Sequence, residues 1–330
     1  MKRTEKTLKE VGERTFLSQI SNLVDEMVLD FNDDASAIVL PSNKLLVINS
    51  DMLIQQTDVL PGMSFKKIGM KAVTMSVSDV VAKGAKPLGC LLSVGFPSNL
   101  RISDAKAIIE GAKEQCVAYK CKLLGGDTNE SSEIIIDATS FGICEKSELI
   151  SRKGVQDGDL IYTTGLFGLT SIGFKILLER LIVEGSLKEL ALDSVYEPKA
   201  RIKYLNLFEK IDIKICMDSS DGLSYTLSDL SSINELGIQI SSVPIHPLVL
   251  EFAEGHDMNP LELAFNGGEE FELVFAVAPA DKDLLEKTTK KLGFVLYQIG
   301  EFSARNKGIE IIDERFSNFK LSIKGFQHFK

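Results

Sequence analysis

Five aspartate-bearing segments stand out in this 330-residue sequence. Four are turn-like and follow apolar runs: Asn32-Asp33-Asp34-Ala35, Asn49-Ser50-Asp51, Gly125-Gly126-Asp127-Thr128 and Asp218-Ser219-Ser220-Asp221-Gly222. The fifth, Asp79, interrupts an apolar stretch containing Val77, Val80 and Val81. Taken singly, each turn acid has an ordinary explanation, because Asp hydrogen-bonds nearby backbone N–H groups. Asp79 does not fit that explanation, since a lone charge on an apolar helical face costs on the order of several kcal/mol unless compensated. A Lys, an Arg or a metal ion is the simplest compensation. Two carboxylates ~4 Å apart repel by about 4 kcal/mol at an effective dielectric of about 20. Converging acids therefore stay ionised only around cations, and all-oxygen donor sets select magnesium or calcium over zinc.

Other routes to phosphate or covalent chemistry are missing. There is no GxxxxGK[ST] loop, Gly165-Leu-Phe-Gly168 lacks the following Lys, and no GxGxxG follows a strand. Of the three histidines, His256 and His328 lie in polar or terminal segments, and His246 between Ile245 and Pro247 reads as structural. Cys90, Cys116, Cys121, Cys144 and Cys216 show no CxxC spacing and sit in or beside apolar runs, the pattern of buried reduced thiols in a cytosolic protein. A formal net charge of -10, without a Lys/Arg block, argues against a nucleic-acid partner. The N-terminus lacks the apolar stretch of a signal peptide, and no segment approaches the ~18 apolar residues of a membrane span. A cytoplasmic protein without membrane or nucleic-acid partners is expected.

Elements able to position the acids alternate along the chain. Lys44–Asn49, Leu88–Phe96, Glu133–Cys144, Leu160–Thr164, Ile211–Met217 and Phe271–Val277 read as strands. A 3.6-residue apolar period predicts a helix over Lys67–Gly84, carrying Asp79 at mid-length, and Ser103 is a plausible N-cap for a helix through Tyr119. Phe174–Ala191 is helix-prone. The pattern predicts mixed α/β (α+β) architecture in two domains, residues 1–148 and 149–330.

The order of the motifs resembles that of the thiamine-monophosphate kinases, part of the wider family of aminoimidazole ribonucleotide synthetase, selenophosphate synthetase and the hydrogenase maturation dehydratase. The resemblance rests on Asp33-Asp34-Ala35, Ser50-Asp51, the run from Lys71 through Asp79 to Pro87, Gly125-Gly126-Asp127-Thr128, Met217-Asp218 to Gly222-Leu223, Gly267-Gly268-Glu269-Glu270-Phe271-Glu272-Leu273 and Lys324-Gly325-Phe326-Gln327-His328-Phe329. It implies an N-terminal dimerising sheet domain, a C-terminal α/β domain of the synthetase fold, and a homodimer. It further implies ATP as co-substrate and several Mg2+ ions held by Asp34, Ser50, Asp51, Asp79, Asp127, Asp218 and Asp221. Gly126, Arg152 and Ser220 would touch the nucleotide, and Glu269 and Phe326 the thiamine monophosphate. The implied reaction is direct in-line transfer from ATP to thiamine monophosphate, giving thiamine diphosphate. Its acceptor is already an ionised phosphate oxygen, so no strong general base is needed.

Three departures from the family pattern bear on the site. Thr57-Asp58-Val59 stands where many bacterial members have Val-His-Phe, which puts Asp58 at a substrate-contacting position. The turn after Thr164 lacks an Asp behind its second glycine, and the Glu-Asp-Tyr triplet appears as Glu269-Glu270-Phe271. Two alternatives accompany the kinase reading: another ATP-dependent synthetase of the family, such as the aminoimidazole ribonucleotide enzyme, or a non-catalytic nucleotide sensor.

Overall fold

The computed structural model describes residues 6–25, 28–305, 307–322 and 329. Two sheets organise them. The first has strand order β1-β2-β5-β3-β4, with β1 Ser36–Val39, β2 Lys44–Ile54, β3 Lys86–Phe96, β4 Lys122–Glu130 and β5 Ile135–Glu145. Its pairs are antiparallel except β3 with β4, which run parallel across the helix Ile102–Ala118. The second has order β11-β8-β10-β6-β9-β7, formed by β6 Leu160–Thr163, β7 Ile215–Asp218, β8 Gly237–Ile240, β9 Leu273–Val277, β10 Tyr297–Ser303 and β11 Ile309–Ile311.

The residue types explain the layering. In β5, Ile136, Ala138, Ser140, Gly142 and Cys144 alternate with less buried neighbours, as expected of a strand with one face in the core. That face meets the helix Phe65–Ala82, where Ile68, Ala72, Val73, Val77, Val80 and Val81 are all buried. Burying each such side chain contributes roughly 1.5–3 kcal/mol. The helix is buried on nearly every side, so its charged residues had to find partners. It crosses the Ile102–Ala118 helix at two glycines. A Cβ on Gly69 would lie 1.8 Å from the Ile108 carbonyl oxygen, and one on Gly111 would lie 1.9 Å from that of Lys66.

One hydrophobic cluster joins the two halves. It includes Val73, Val77, Leu92 and Ile136 from the first sheet layer, and Tyr162, Tyr204, Leu273 and Phe275 from the second. A second cluster around Ile161, Phe167, Leu227, Ile240 and Phe302 lies wholly within the C-terminal half. Among the described residues no helix is long and apolar enough to cross a membrane.

Several elements differ from expectation. Asn49-Ser50-Asp51 lies inside β2 and Gly125-Gly126-Asp127-Thr128 inside β4; neither is a turn, because strand pairing carries through both. The helix after Ser103 begins at Ile102 with Arg101 as N-cap. The helix-prone stretch from Phe174 divides into Leu169–Leu178 and Gly185–Tyr196.

Candidate active site

The Asp33-Asp34 turn precedes β1, Asp79 sits three residues from the end of the Phe65–Ala82 helix, and Asp218 is the last residue of β7. Folding brings one oxygen from each of Asp34, Asp79 and Asp218 within 4.8 Å of the others. Three separate regions of the chain thus converge on one point.

Of the three acids, only Asp34 forms ion pairs among the described residues, with two cations. Lys83 Nζ, fully buried, lies 2.6 Å from Asp34 Oδ2 and 2.6 Å from Asp33 Oδ1, and donates to the Cys216 carbonyl at 2.8 Å. Arg152 Nε donates to Asp34 Oδ1 at 3.0 Å, and its Nη2 makes a closer ion pair with the same oxygen. Arg152 Nη1 also reaches the Asn32 carbonyl at 2.7 Å and Asp229 at 3.2 Å. Burial pushes the Asp34 carboxyl up, but Arg152 and Lys83 together hold it below its ordinary value.

The other two acids feel the Arg152 charge only at a distance. Ser78 Oγ donates to Asp218 Oδ2 at 2.6 Å, yet burial and then the Asp34 charge push Asp218 up to about 7. Burial, followed by the charges of Asp218, Asp34 and Asp51, raises Asp79 well above the usual carboxylate range. Among the described residues no Lys or Arg forms an ion pair with Asp79. Asp51, on the inward face of β2, is raised to about 6, first by burial and then by Asp58, Asp137 and Glu269. Buried Asn49 Oδ1 and Ser219 Oγ, which belong to the same strand and turn, have no hydrogen-bond partner among the described residues. Convergent hard oxygens, two of them under-neutralised acids, form a donor set that fits Mg2+.

The Asp218–Asp221 turn is fastened to the segment 267–272. Glu269 N–H donates to the Ser220 carbonyl at 2.6 Å, Phe271 N–H to Ser219 at 2.9 Å, and Ser219 N–H to Glu272 at 2.9 Å. Glu269 and Phe271 hold left-handed φ values of 57° and 49°, which cost roughly 1–2 kcal/mol each for side chains of this kind. The Glu269 carboxylate lies 2.6 Å from buried Lys71 Nζ. Burial raises the Glu269 carboxyl above its ordinary value against the pull of Lys71.

The AIR synthase related protein models match this chain, the N-terminal domain over residues 32–144 and the C-terminal domain over 156–313. The thiamine-monophosphate kinase of Nitrosopumilus maritimus is 33% identical over 299 residues, covering 91% of this chain and 93% of that protein. The chain belongs to the thiamine-monophosphate kinase family. The Pyrococcus abyssi member is 31% identical over 90% of this chain and 89% of its own length. The structure of AaThiL complexed with AMPPCP and TMP superposes with a TM-score of 0.84 at 26% identity, covering 98% of this chain and 99% of that one. Escherichia coli HypE shares the fold, with a TM-score of 0.70 at 18% identity over 94% of this chain and 97% of its own.

Within this kinase-family fold, the residues expected at the site divide into two groups. Asp34, Asp79 and Asp218 converge, with Asp51 near enough to raise two of them. Ser220 and the half-buried Asp221 follow in the same turn. Arg152 is at the site, but it is bound to Asp34. Ser50 lies on the other face of β2 and donates to Asp137 Oδ1 at 2.7 Å, so strand alternation turns its hydroxyl away from Asp51. Asp127 is exposed on the edge strand β4, opposite Ser93, and is not one of the three converging acids. Gly126 has a packing reason for being glycine: at φ +149°, a Cβ would lie 1.6 Å from the Leu92 carbonyl oxygen. Asp58 Oδ2 accepts from the Ile54 N–H at 2.7 Å and from the Thr57 hydroxyl at 2.9 Å. Phe326 lies outside the described residues.

Sequence reasoning missed Lys83 and Lys71. Both stood in the open as lysines at the end and the middle of an apolar helical run, four residues after Asp79 and eight before it. Helical spacing puts residues four apart on one face, so the Asp79–Lys83 spacing could have pointed to a cation beside the acids.

Proposed function

We propose that this protein transfers the γ-phosphoryl group of ATP to thiamine monophosphate, forming thiamine diphosphate, with several Mg2+ ions at the site. The observation that carries this reading is the asymmetric triad, in which Asp34 is paired with Lys83 and Arg152 while Asp79 and Asp218 form no ion pair among the described residues. Asp34, Asp79 and Asp218, extended by Asp51 and Asp221, would hold the metal. Magnesium bound there supplies charge neutralisation for the transferring phosphoryl group. Arg152, once released from Asp34, would reach the nucleotide beside Ser220. The 267–272 segment and Asp58 would line the acceptor end, where the acceptor phosphate needs positioning more than a base. Among the described residues no activated His or Cys nucleophile is placed at the triad, which favours direct in-line transfer.

Ser50 and Asp127 enter this reading through a second copy of the chain. The outer face of the first sheet exposes Met52, Leu88, Leu91 and Leu124, at 40–55% of their surface, a patch suited to a homodimer. A cytoplasmic location suits the substrates.

An ATP-consumption assay tests the function, run with thiamine monophosphate, with the aminoimidazole precursor and with no acceptor. ADP formation that requires magnesium and thiamine monophosphate is expected. Turnover only with the second acceptor, or nucleotide binding without turnover, would refute the kinase reading. Sedimentation should give a dimer; a concentration-independent monomer at micromolar protein would remove the second copy from the site.

A further inference from the structure

We infer that Lys71 is a positioning residue that holds the Gly267–Glu272 segment in its strained form and thereby sets the acceptor end of the site. The inference rests on the kinase reading above and assigns a role to a side chain outside the acidic triad. Lys71 Nζ is completely buried, an uncommon state for a lysine, and all of its contacts are short. It lies 2.6 Å from Glu269 Oε1 and 2.8 Å from Oε2, and it donates to the Asp58 carbonyl at 2.8 Å. One ammonium group therefore ties three elements: the Phe65–Ala82 helix, the short turn after β2, and the segment carrying Glu269.

That segment needs restraint. Two of its non-glycine residues, Glu269 and Phe271, hold left-handed backbone conformations. Such conformations persist only where surrounding contacts over-determine them. On one side the segment is hydrogen-bonded to the Asp218–Asp221 turn through Ser219 and Ser220. Lys71 supplies the hold on the other side. Both Glu269 oxygens are within bonding distance of Lys71, so this carboxylate is not a free counter-charge for a cationic substrate. Its pair with Lys71 positions the segment, and the half-buried Asp58 carboxylate, which accepts from the Ile54 N–H and the Thr57 hydroxyl, forms no ion pair among the described residues.

The test compares wild type, Lys71→Met, Lys71→Arg and the double variant Lys71→Met/Glu269→Gln, by steady-state kinetics and by hydrogen exchange at the Glu269 and Phe271 amides. In Lys71→Met the KM for thiamine monophosphate should rise about 10- to 100-fold, the scale of a mispositioned acceptor. The KM for ATP should stay within about threefold, and both amides should exchange at least about tenfold faster. Lys71→Arg should recover part of each effect. The double variant removes both buried charges, so it remains available if Lys71→Met does not fold, and it should be no worse than Lys71→Met, because the two side chains act as one unit. An unchanged thiamine monophosphate KM with unchanged exchange overturns the inference, as do equal rises in both KM values. Wild type that forms no ADP with thiamine monophosphate sinks the kinase reading instead. The exchange measurement still judges Lys71 in that case.

Discussion

Replacing Asp79 with Asn should separate the metal role of the triad from its cost to the fold. The ligand oxygens of Asp34, Asp79 and Asp218 lie within 4.8 Å of one another. At an effective dielectric of about 20, each ionised pair at that distance repels by about 3.5 kcal/mol. Lys83 and Arg152 already offset the Asp34 charge, so the pair left without an ion pair among the described residues is Asp79 with Asp218. Without metal, Asp79→Asn should therefore stabilise the protein by up to about 3 kcal/mol, in full only once both acids are ionised, because burial and the neighbouring charges raise Asp79 well above the usual carboxylate range. The sign with pH follows from the raised folded-state values. Asp218 titrates at about 7 in the folded chain against an ordinary 3.8, so the folded chain binds the proton more tightly than the unfolded chain. The Asp218 contribution to stability is then fully present below about pH 4 and is lost as pH rises through 7, and the advantage of Asn shrinks to nothing on acidification. Thermal melts in EDTA and in saturating magnesium check this. Wild type should gain roughly 5–10 °C on adding the ion at pH 8, for a stabilisation near 3 kcal/mol. Asp79→Asn should start higher and move little, with kcat down about 100-fold. A variant that melts below wild type in EDTA, or that gains as much from magnesium, would show that Asp79 is a structural acid and the electrostatic reasoning is wrong.

Three further outcomes are expected. Burial pushes Glu270 up to about 8 from an ordinary 4.5, over the hydrogen bond it accepts from Thr170, so stability should fall as pH rises from 4.5 to 8. Glu270→Gln should gain roughly 2–4 kcal/mol at pH 9 and almost nothing at pH 5 in urea titrations; a gain independent of pH would mean the carboxyl is not buried neutral. Gly126→Ala should cost at least about 3 kcal/mol, because its Cβ would meet the Leu92 carbonyl oxygen at 1.6 Å; a stable variant that only binds ATP poorly would return this glycine to the nucleotide. Asp58→Asn keeps the acceptor for the Ile54 N–H, so stability should hold within about 1 kcal/mol while the KM for thiamine monophosphate rises several-fold; an unchanged KM would confine Asp58 to its turn.

Periodicity made the helix around Asp79 and most strands legible, because burial on one face leaves a regular apolar spacing that a reader of the sequence can see. Glycine and aspartate misled at Ser50-Asp51 and Gly126-Asp127. These residues suit turns, but cross-strand pairing with β5 and β3 keeps both segments extended. Their side-chain directions then follow from register, which composition does not encode: Asp51 faces inward while neighbouring Ser50 bonds to Asp137. The partners of Lys71 and Lys83 were likewise invisible, since Glu269 is 198 residues from Lys71 and Asp33 is 50 residues from Lys83.

The same long-range pairing explains why a cluster of acids can exist in this fold at all. Three ionised carboxylates from three regions would drive those regions apart, and the shared hydrophobic cluster alone offers no remedy for charge. Lys83 resolves one third of the problem from inside the core: it bridges Asp33, Asp34 and the Cys216 carbonyl, so it joins the first turn to β7 whether or not metal is present. Arg152 holds the same carboxylate from the linker side through contacts with Asn32 and Asp229. The fold thus holds Asp34 below its ordinary value, while Asp79 and Asp218 are raised above theirs. On the proposed reading, that division would give a site that tolerates the absence of a divalent ion yet retains an electrostatic demand for one. Moving Lys83 or Arg152 one helical turn away would remove the first property, and replacing Asp79 or Asp218 by a neutral residue would remove the second.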